Sequence, residues 1–155
     1  MIKPLYIFDL DGTLAIIEHR LRYVECPREE QNWEAFFAAC GDDCQNAPVT
    51  KTMELLYDAG ADVWIFTGRS DKVRSQTIQW LAENTNLTSL HLSKSILFMR
   101  PPNDHTPDAD LKRRWLSEMP AIDRDRLVAV FENRYWMAKM WRSEGVPCFQ
   151  VSGIE

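Results

Sequence analysis

Residues 8–14 (FDLDGTL) place two aspartates, Asp9 and Asp11, on either side of one apolar residue. On a continuing strand these two carboxylates would share a face, but Gly12 allows the chain to turn sharply after Asp11. One carboxylate could then attack a substrate while the other transfers a proton. The same residues also fit a plain polar turn with no catalytic role. The pair indicates catalysis only if suitable partners occur elsewhere in the chain.

Two further polar pairs occur directly after short apolar runs. Thr67 and Gly68 follow the run at 63–66, and Glu132 and Asn133 follow the run at 127–131. A threonine hydroxyl and a backbone amide can donate hydrogen bonds to a phosphoryl group. A glutamate can supply an oxygen ligand to a hard cation such as Mg²⁺.

The elements that must position these pairs follow from the alternation of short apolar runs with longer amphipathic segments. We predict a single domain over residues 1–155, an α/β fold of the Rossmann-like, three-layer α/β/α type with a mainly parallel sheet. In such sheets the carboxyl ends of the strands form the ligand-binding edge, so the three polar pairs should meet there. The predicted strands are 5–10, 63–66, 96–99, 127–131 and 148–151, and the predicted helices are 49–59, 71–83, 108–118 (capped by Asp108) and 134–143.

Residues 15–46 do not follow this alternation. They contain one predicted helix, around 32–40, and their position directly after the first polar pair is typical of a small cap or flap over a site. His19, Arg20 and Arg22 in this segment could contact a substrate or simply be solvated. Trp33 is the tryptophan we would test for substrate contact, because the others fit core positions.

Composition narrows the classes of function. The chain has 155 residues, enough for one domain with a real core, and its net charge of −5 argues against broad coating of duplex nucleic acid. No apolar run is long enough for a membrane span, and we expect a cytoplasmic protein with free thiols. Oligomeric state is left open. A zinc site built from His19 and cysteines 26, 40 and 44 is a weak alternative, because the spacing matches no familiar zinc pattern.

Four segments, taken in order, resemble the motifs of the haloacid dehalogenase superfamily of phosphatases. Residues 8–14 resemble the first motif, FTGRS at 66–70 the second, Lys112 in DADLKRRWL the third, and FENR at 131–134 the fourth. The run from FENR through MWRSEGVPCFQV is also similar to the end of the phosphatase domain of bacteriophage polynucleotide kinase/phosphatases. This second resemblance implies removal of a terminal phosphate from a nucleic-acid strand or nucleotide, and a polynucleotide 3′-phosphatase is the leading hypothesis.

The resemblance implies a role for each residue. Asp9 would attack phosphorus and form an aspartyl-phosphate. Asp11 would protonate the leaving oxygen and then activate water, which requires a pKa well above the usual value of about 3.9. Lys112 would neutralise charge on Asp9 and the phosphoryl group. Thr67 and the Gly68 amide would bind phosphate oxygens, and Arg69 and Arg100 are candidates for binding the substrate.

The same resemblance implies a Mg²⁺ cofactor bound by Asp9, the backbone carbonyl of Asp11, and Glu132. The fourth motif commonly carries two adjacent aspartates, whereas this chain has Glu132 and Asn133. The replacement removes one negative charge, which could weaken metal binding. If a second carboxylate is indispensable, the chain would instead be a non-catalytic phosphate-binding module.

Substrate class stays open between a nucleic-acid 3′ end and a small molecule, either a free nucleotide or another phosphoester. A strand-end phosphatase should show a basic groove leading to Asp9, and a nucleotidase should show a closed pocket. A GxxxxGKS or GxxxxGKT phosphate loop is missing from the sequence, so we expect any kinase partner to be a separate polypeptide.

Overall fold

The computed structural model describes residues 2–93 and 95–151. These residues form seven strands and eight α-helices. The outer parts of the predicted 1–155 domain, Met1 and residues 152–155, lie outside the described residues, as does Lys94. The strands are β1 (Leu5–Phe8), β2 (Ala15–Ile16), β3 (Cys44–Gln45), β4 (Asp62–Ser70), β5 (Leu97–Arg100), β6 (Leu127–Glu132) and β7 (Cys148–Gln150). The helices are α1 (Glu18–Leu21), α2 (Trp33–Ala38), α3 (Ala47–Asp58), α4 (Arg74–Asn84), α5 (Ser89–Leu92), α6 (Asp108–Glu118), α7 (Ala121–Arg126) and α8 (Tyr135–Ser143).

The central sheet has the strand order β5-β4-β1-β6-β7, and every neighbouring pair is parallel. In register, Phe8 lies beside Ile65 of β4 and Phe131 of β6. Because all five strands run in one direction, their carboxyl ends form a single edge. This confirms the predicted parallel α/β sheet.

Helices pack on both faces of this sheet because consecutive β1 side chains point to opposite sides. Phe8 belongs to a core shared with Met53 of α3 and Trp80 of α4. Its neighbour Ile7 belongs to a second core, which contains Leu116 of α6 and Trp141 of α8. The sheet is therefore the middle of three layers, as predicted.

Two strand ends differ from the prediction. β1 ends at Phe8, so Asp9 and Leu10 already belong to the turn. β4 continues to Ser70 instead of ending at Phe66, although its pairing with β5 shifts register between Thr67 and Ser70. Because of this irregularity, Thr67 and Gly68 lie where the regular pairing of β4 with β5 ends, although β4 itself continues to Ser70.

The main helices agree with the prediction, with three differences. Asp108 is the first residue of α6 and not its cap, because Pro107 occupies the cap position and no side chain caps the helix. The predicted 71–83 helix is a 3₁₀ turn, Asp71–Val73, followed by α4. The short helices α1, α5 and α7 were not predicted, since four to six residues show too little periodicity.

The insert after β1 forms the predicted flap, with more structure than one helix. β2 and β3 pair antiparallel at its two ends, with Ile16 opposite Cys44. Between them, α2 begins after Asn32, whose side chain accepts a hydrogen bond from the Ala35 amide at 3.0 Å. We call residues 15–46 the lid.

Two further features concern the state of the cysteines and the length of the helices. All four cysteines carry free thiols. Over the described ranges, no helix has the length and apolar character needed to cross a membrane.

Candidate active site

Asp9 lies at the carboxyl edge of the sheet, immediately after β1. Its backbone amide still donates to the carbonyl of Phe131 on β6 at 3.0 Å, which fixes the residue beside the end of that strand. Its side chain is nearly buried. One carboxylate oxygen accepts from the Thr13 hydroxyl at 2.8 Å, and the other accepts from Lys112 Nζ at 2.6 Å. The Asp9 carboxylate is therefore held in one orientation.

Lys112 reaches this edge from α6 and is almost completely buried. Its Nζ donates to Asp9 and also to Glu132 Oε2 at 3.0 Å. Burial lowers the pKa of Lys112, but the carboxylates of Asp9 and Glu132 outweigh burial and hold the pKa above its ordinary value. Lys112 is therefore a permanent cation between two carboxylates, and not the exposed helix lysine that its spacing alone would favour.

Glu132 is the last residue of β6 and is also buried. Burial, together with the charge of Asp9, raises the pKa of Glu132 to about 8, although Lys112 acts in the opposite direction. Two carboxylates thus share one ammonium group in a place with little water. Additional positive charge would stabilise this arrangement, which is the chemistry a Mg²⁺ ligand set requires.

The side chains do not converge as a three-carboxylate metal site. Within residues 2–93 and 95–151, no group of three His, Cys, Asp or Glu side chains is placed to hold a metal ion. The reason at this edge is that the Asp11 carboxylate turns toward two arginines. A cation here would depend on Asp9, Glu132, backbone oxygen and water. The alternative zinc site in the lid likewise lacks a ligand group in the described part of the chain.

Asn133 packs against the turn that follows Asp9. Gly12 has a φ of +81°, and a Cβ atom at this position would lie 2.2 Å from Asn133 Nδ2. Glycine is required here both for the left-handed backbone and for the close approach of the amide. The Thr13 hydroxyl, which binds Asp9, also lies 3.5 Å from Asn133 Oδ1.

Thr67 and Gly68 lie beside this centre at the end of β4. Thr67 is buried, and its hydroxyl accepts from the Arg69 amide at 3.1 Å. A Cβ atom on Gly68 would lie 2.6 Å from Asp108 Oδ1, so a larger residue would displace the start of α6. Both residues line the same cavity as Asp9 and Lys112, where predicted.

This cavity has a volume of about 620 Å³. One wall is the lid helix α2, and another is the 101–107 loop. Its lining includes the predicted residues Asp9, Asp11, Thr67, Gly68, Arg100, Lys112 and Glu132, together with Trp33, Lys72 and Arg134.

Arg69 points away from the cavity. It is fully buried and donates to Asp11 Oδ1 at 2.7 and 2.9 Å, to Asp43 at 2.9 Å and to the Thr77 hydroxyl at 3.2 Å. Arg20 of the lid, also fully buried, binds the same two carboxylates, each at 2.7 Å. The guanidinium of Arg69 thus joins Asp11 to Asp43, and its contact with substrate stays a prediction.

The pKa of Asp11 moves in the direction opposite to the one expected. Burial raises it, but the charges and hydrogen bonds of Arg69 and Arg20 outweigh burial and hold the pKa below its ordinary value. The expected raised pKa is therefore a wrong prediction. All three of these arginine hydrogen bonds end on Oδ1.

Arg100 lines the cavity, and its hydrogen bonds also hold the loop beside it in place. Its guanidinium donates to the carbonyls of Gly68 at 2.9 Å, Asp104 at 3.2 Å and Thr106 at 2.6 Å, and it pairs with Asp108. Because Arg100 lines the cavity, its contact with substrate stays a prediction. Arg100 ties the 101–107 loop to the end of β4.

The lid candidates divide into three kinds. Arg20 is buried in the Asp11 network, and His19 binds Asp43 at 2.7 Å from the edge of that network. Arg22 is exposed and lies over the ring of Tyr23. Trp33 lines the cavity and is half exposed.

Asp43 and Asp108 were missed by the sequence reasoning. Asp43 is buried among Arg20, Arg69 and His19, and its backbone carbonyl accepts from Trp80 Nε1 at 2.7 Å. Asp108 was assigned only a capping role, yet it pairs with Arg100 and Arg134 beside Gly68. Asp108 offered one signal, its position at the start of the predicted helix 108–118, whereas Asp43 offered none, because residues 15–46 do not follow the alternation of elements.

Comparison with known proteins supports this description. The model of the polynucleotide kinase PNKP phosphatase domain family matches residues 3–154. No curated protein matches the chain. Two structures of the Pnkp1/Rnl/Hen1 complex, one of them described as an RNA repair complex, are similar with TM-scores of 0.73 and identities of 26% and 27%. These matches cover 97% of this chain but only 43% and 46% of the other chains, so this chain spans less than half their length.

A class C acid phosphatase from Bacillus anthracis, with tungstate bound, shares the fold alone. It matches with a TM-score of 0.58 and 15% identity over 86% of this chain and 53% of that one. The family match covers nearly the whole sequence, and Asp9, Thr67, Lys112 and Glu132 lie together in the lining of one cavity at the carboxyl edge of the sheet. The chain belongs to the PNKP phosphatase domain family and is a phosphatase of the haloacid dehalogenase superfamily.

Proposed function

We propose that the chain is a Mg²⁺-dependent phosphomonoesterase that removes 3′-phosphates from nucleic-acid ends through an aspartyl-phosphate on Asp9. The observation that carries this proposal is the fixed Asp9 carboxylate, held by Thr13 and Lys112 at the inner end of a cavity large enough for more than a phosphoryl group. Covalent catalysis divides a very slow hydrolysis into two easier steps.

In the first step, an Asp9 oxygen forms a bond to phosphorus as the ester oxygen leaves. Lys112 neutralises part of the charge that collects on Asp9 and the phosphoryl oxygens, and it does so in a place where burial strengthens the interaction. Thr67 and the Gly68 amide donate to phosphoryl oxygens. Mg²⁺, held by Asp9, the Asp11 carbonyl and Glu132, would supply further positive charge against the transferring group.

Asp11 transfers the proton in each of the two steps. Its lowered pKa suits the second step, in which an ionised carboxylate removes a proton from the water that hydrolyses the intermediate. In the first step the negative charge of the bound phosphoryl group raises the pKa of Asp11, which favours proton donation to the leaving oxygen. Arg20 and Arg69 orient the carboxylate by binding only its Oδ1 atom.

Substrate choice is inferred from the cavity and from the relatives. Lys72 and Arg134 line the cavity beyond the catalytic groups and offer positive charge to a polyanion. The Pnkp1 chains that resemble this one belong to a complex described as an RNA repair complex, so we infer that partner proteins act with this phosphatase.

The test of this function is phosphate release, with and without Mg²⁺, from three kinds of substrate. We expect faster release from a 3′-phosphorylated oligonucleotide than from a 5′-phosphorylated one or from nucleoside monophosphates. Preference for the free nucleotides would replace the proposal by a nucleotidase. No release from any substrate, including an aryl phosphate, would favour a non-catalytic module and would make the Glu132-Asn133 pair its cause.

A further inference from the structure

We propose that Trp33, on the lid helix α2, is the stacking platform for the terminal base of the strand whose 3′-phosphate reaches Asp9. This inference rests on the proposed function and adds to it a residue that recognises the nucleoside. It also accounts for the aromatic side chains of the lid, which the phosphate chemistry does not use.

The three aromatic residues of α2 differ in burial. Phe36 is 5% exposed and belongs to the core, whereas Trp33 is 50% exposed and lines the cavity together with Phe37. An indole whose only role was to fill the lid would be expected to be buried like Phe36. Half of the Trp33 surface is instead exposed, at a residue that lines the cavity.

The Trp33 ring is held in place from the protein side. It meets Phe36 edge to face, with ring centroids 5.5 Å apart at an interplanar angle of 78°. Its Nε1 donates to Gln31 Oε1 at 3.2 Å. A ring fixed in this way loses little conformational entropy when a base stacks on it.

The platform is also linked to the reacting group. The Arg20 guanidinium lies 4.4 Å above the Phe36 ring and donates to Asp11 at 2.7 Å. Trp33, Phe36, Arg20 and Asp11 therefore form one continuous set of contacts from the lid to the catalytic turn. This gives the stacked base a fixed position relative to the phosphate.

The cavity provides the space that such a base needs. Its volume of about 620 Å³ lies within the range of small-molecule sites and exceeds the requirement of a phosphoryl group alone. Stacking on an aromatic ring accepts every base, since each has a flat face. A strand end of any sequence could therefore bind here.

The experiment compares three variants on three substrates. Trp33→Ala removes the platform, Trp33→Phe retains an aromatic ring, and Trp136→Ala removes a tryptophan that is 57% exposed and lies outside the cavity lining. The substrates are a 3′-phosphorylated oligonucleotide, the same strand with an abasic terminal nucleotide, and glycerol phosphate. Thermal unfolding of each variant checks that it is folded.

We expect Trp33→Ala to raise the KM for the normal strand by about fivefold or more, the effect of losing one stacked base. Trp33→Phe should restore KM to within about twofold. Neither the abasic strand nor glycerol phosphate should respond to Trp33→Ala, and Trp136→Ala should resemble the wild type on every substrate.

Two results would overturn the inference while leaving the phosphatase assignment intact. One is an unchanged KM for the normal strand in Trp33→Ala, and the other is an equal loss on all three substrates, which would mean that the lid has merely been disturbed. If the wild type hydrolyses glycerol phosphate but not the strand, the strand-end function itself fails, and the stacking role fails with it.

Discussion

At the residue scale, the centre of the site pairs two acidic side chains with one basic side chain. Asp9 and Glu132 present two buried carboxyl groups to one buried ammonium group, that of Lys112. Removing one partner from a buried ion pair leaves charges that neither water nor protein compensates. Lys112 is therefore expected to support both catalysis and folding.

Replacing Lys112 by methionine should lower the free energy of unfolding by about 3–5 kcal/mol, the usual cost of breaking a buried pair. Phosphate release should fall by more than about 100-fold, because the charge that stabilises the transferring group is lost. Urea unfolding measures the first effect. Arg113→Met, next in sequence and on the surface, is the control and should change stability by less than about 1 kcal/mol. Equal stability of the two variants would contradict this account.

Glu132 makes stability depend on pH. Its pKa in the folded protein, raised to about 8, lies above the ordinary value of 4.5, so the folded state holds a proton that the unfolded state has lost. The stabilising contribution of this proton is complete below pH 4.5, falls as the pH rises from 4.5 to about 8, and is absent above that. In the absence of Mg²⁺, the stability of the wild type relative to Glu132→Gln should therefore decline over this window and then level off. Unfolding curves measured from pH 5 to 9 test the sign, and a rising difference would refute it.

At the element scale, the lid is joined to the core by charge as well as by packing. Arg20 and Asp43 come from the lid, while Asp11 and Arg69 come from the ends of β1 and β4, and the four side chains make a balanced, buried group. The network fixes the Asp11 carboxylate, to which we assign the proton transfers. It also fixes Arg20, and with it the segment of the lid that precedes α2.

Asp43→Asn should therefore disturb the lid and the site together. Two buried arginines would share one carboxylate, and we expect the free energy of unfolding to fall by about 3–5 kcal/mol. Asp42→Asn, at the exposed neighbouring position, is the matched control and should have little effect. Chemical unfolding of the two variants distinguishes them, and similar curves would show that the network contributes nothing to stability.

Alanine substitutions at Gly12 and Gly60 distinguish the cost of backbone strain from the cost of steric crowding. Both have a positive φ, +81° and +98°, but a Cβ atom at Gly60 meets open space whereas one at Gly12 would overlap Asn133. Gly60→Ala should show only the strain of a left-handed alanine, of order 1 kcal/mol. Gly12→Ala should be destabilised further and should lose most of its phosphatase activity, since the Asp9 turn must move. Melting temperatures and phosphate release compare the two, and equal losses would contradict the packing argument.

At the scale of the whole molecule, the sequence predicted what depends on local pattern. Asp9, Thr67 and Glu132 could be placed at one sheet edge because each lies in a short motif near the end of a predicted strand, whereas Lys112 was singled out only by the resemblance to a phosphatase motif. The partners of Arg69 could not be predicted, because Asp43 is 26 residues away in a segment without periodicity. The lowered pKa of Asp11 was missed for the same reason, since it depends on Arg69 and Arg20, which only the folded chain brings to this carboxylate.

The central claim, that Asp9 is the nucleophile of a strand-end phosphatase, is tested most directly by one comparison of rates. Wild type and Asp9→Asn would be assayed side by side for phosphate release from a 3′-phosphorylated oligonucleotide in Mg²⁺, with thermal unfolding to confirm that the variant is folded. The account predicts Mg²⁺-dependent release by the wild type and a loss of at least about 10⁴-fold in the folded variant. Release by Asp9→Asn at a rate near that of the wild type would contradict it.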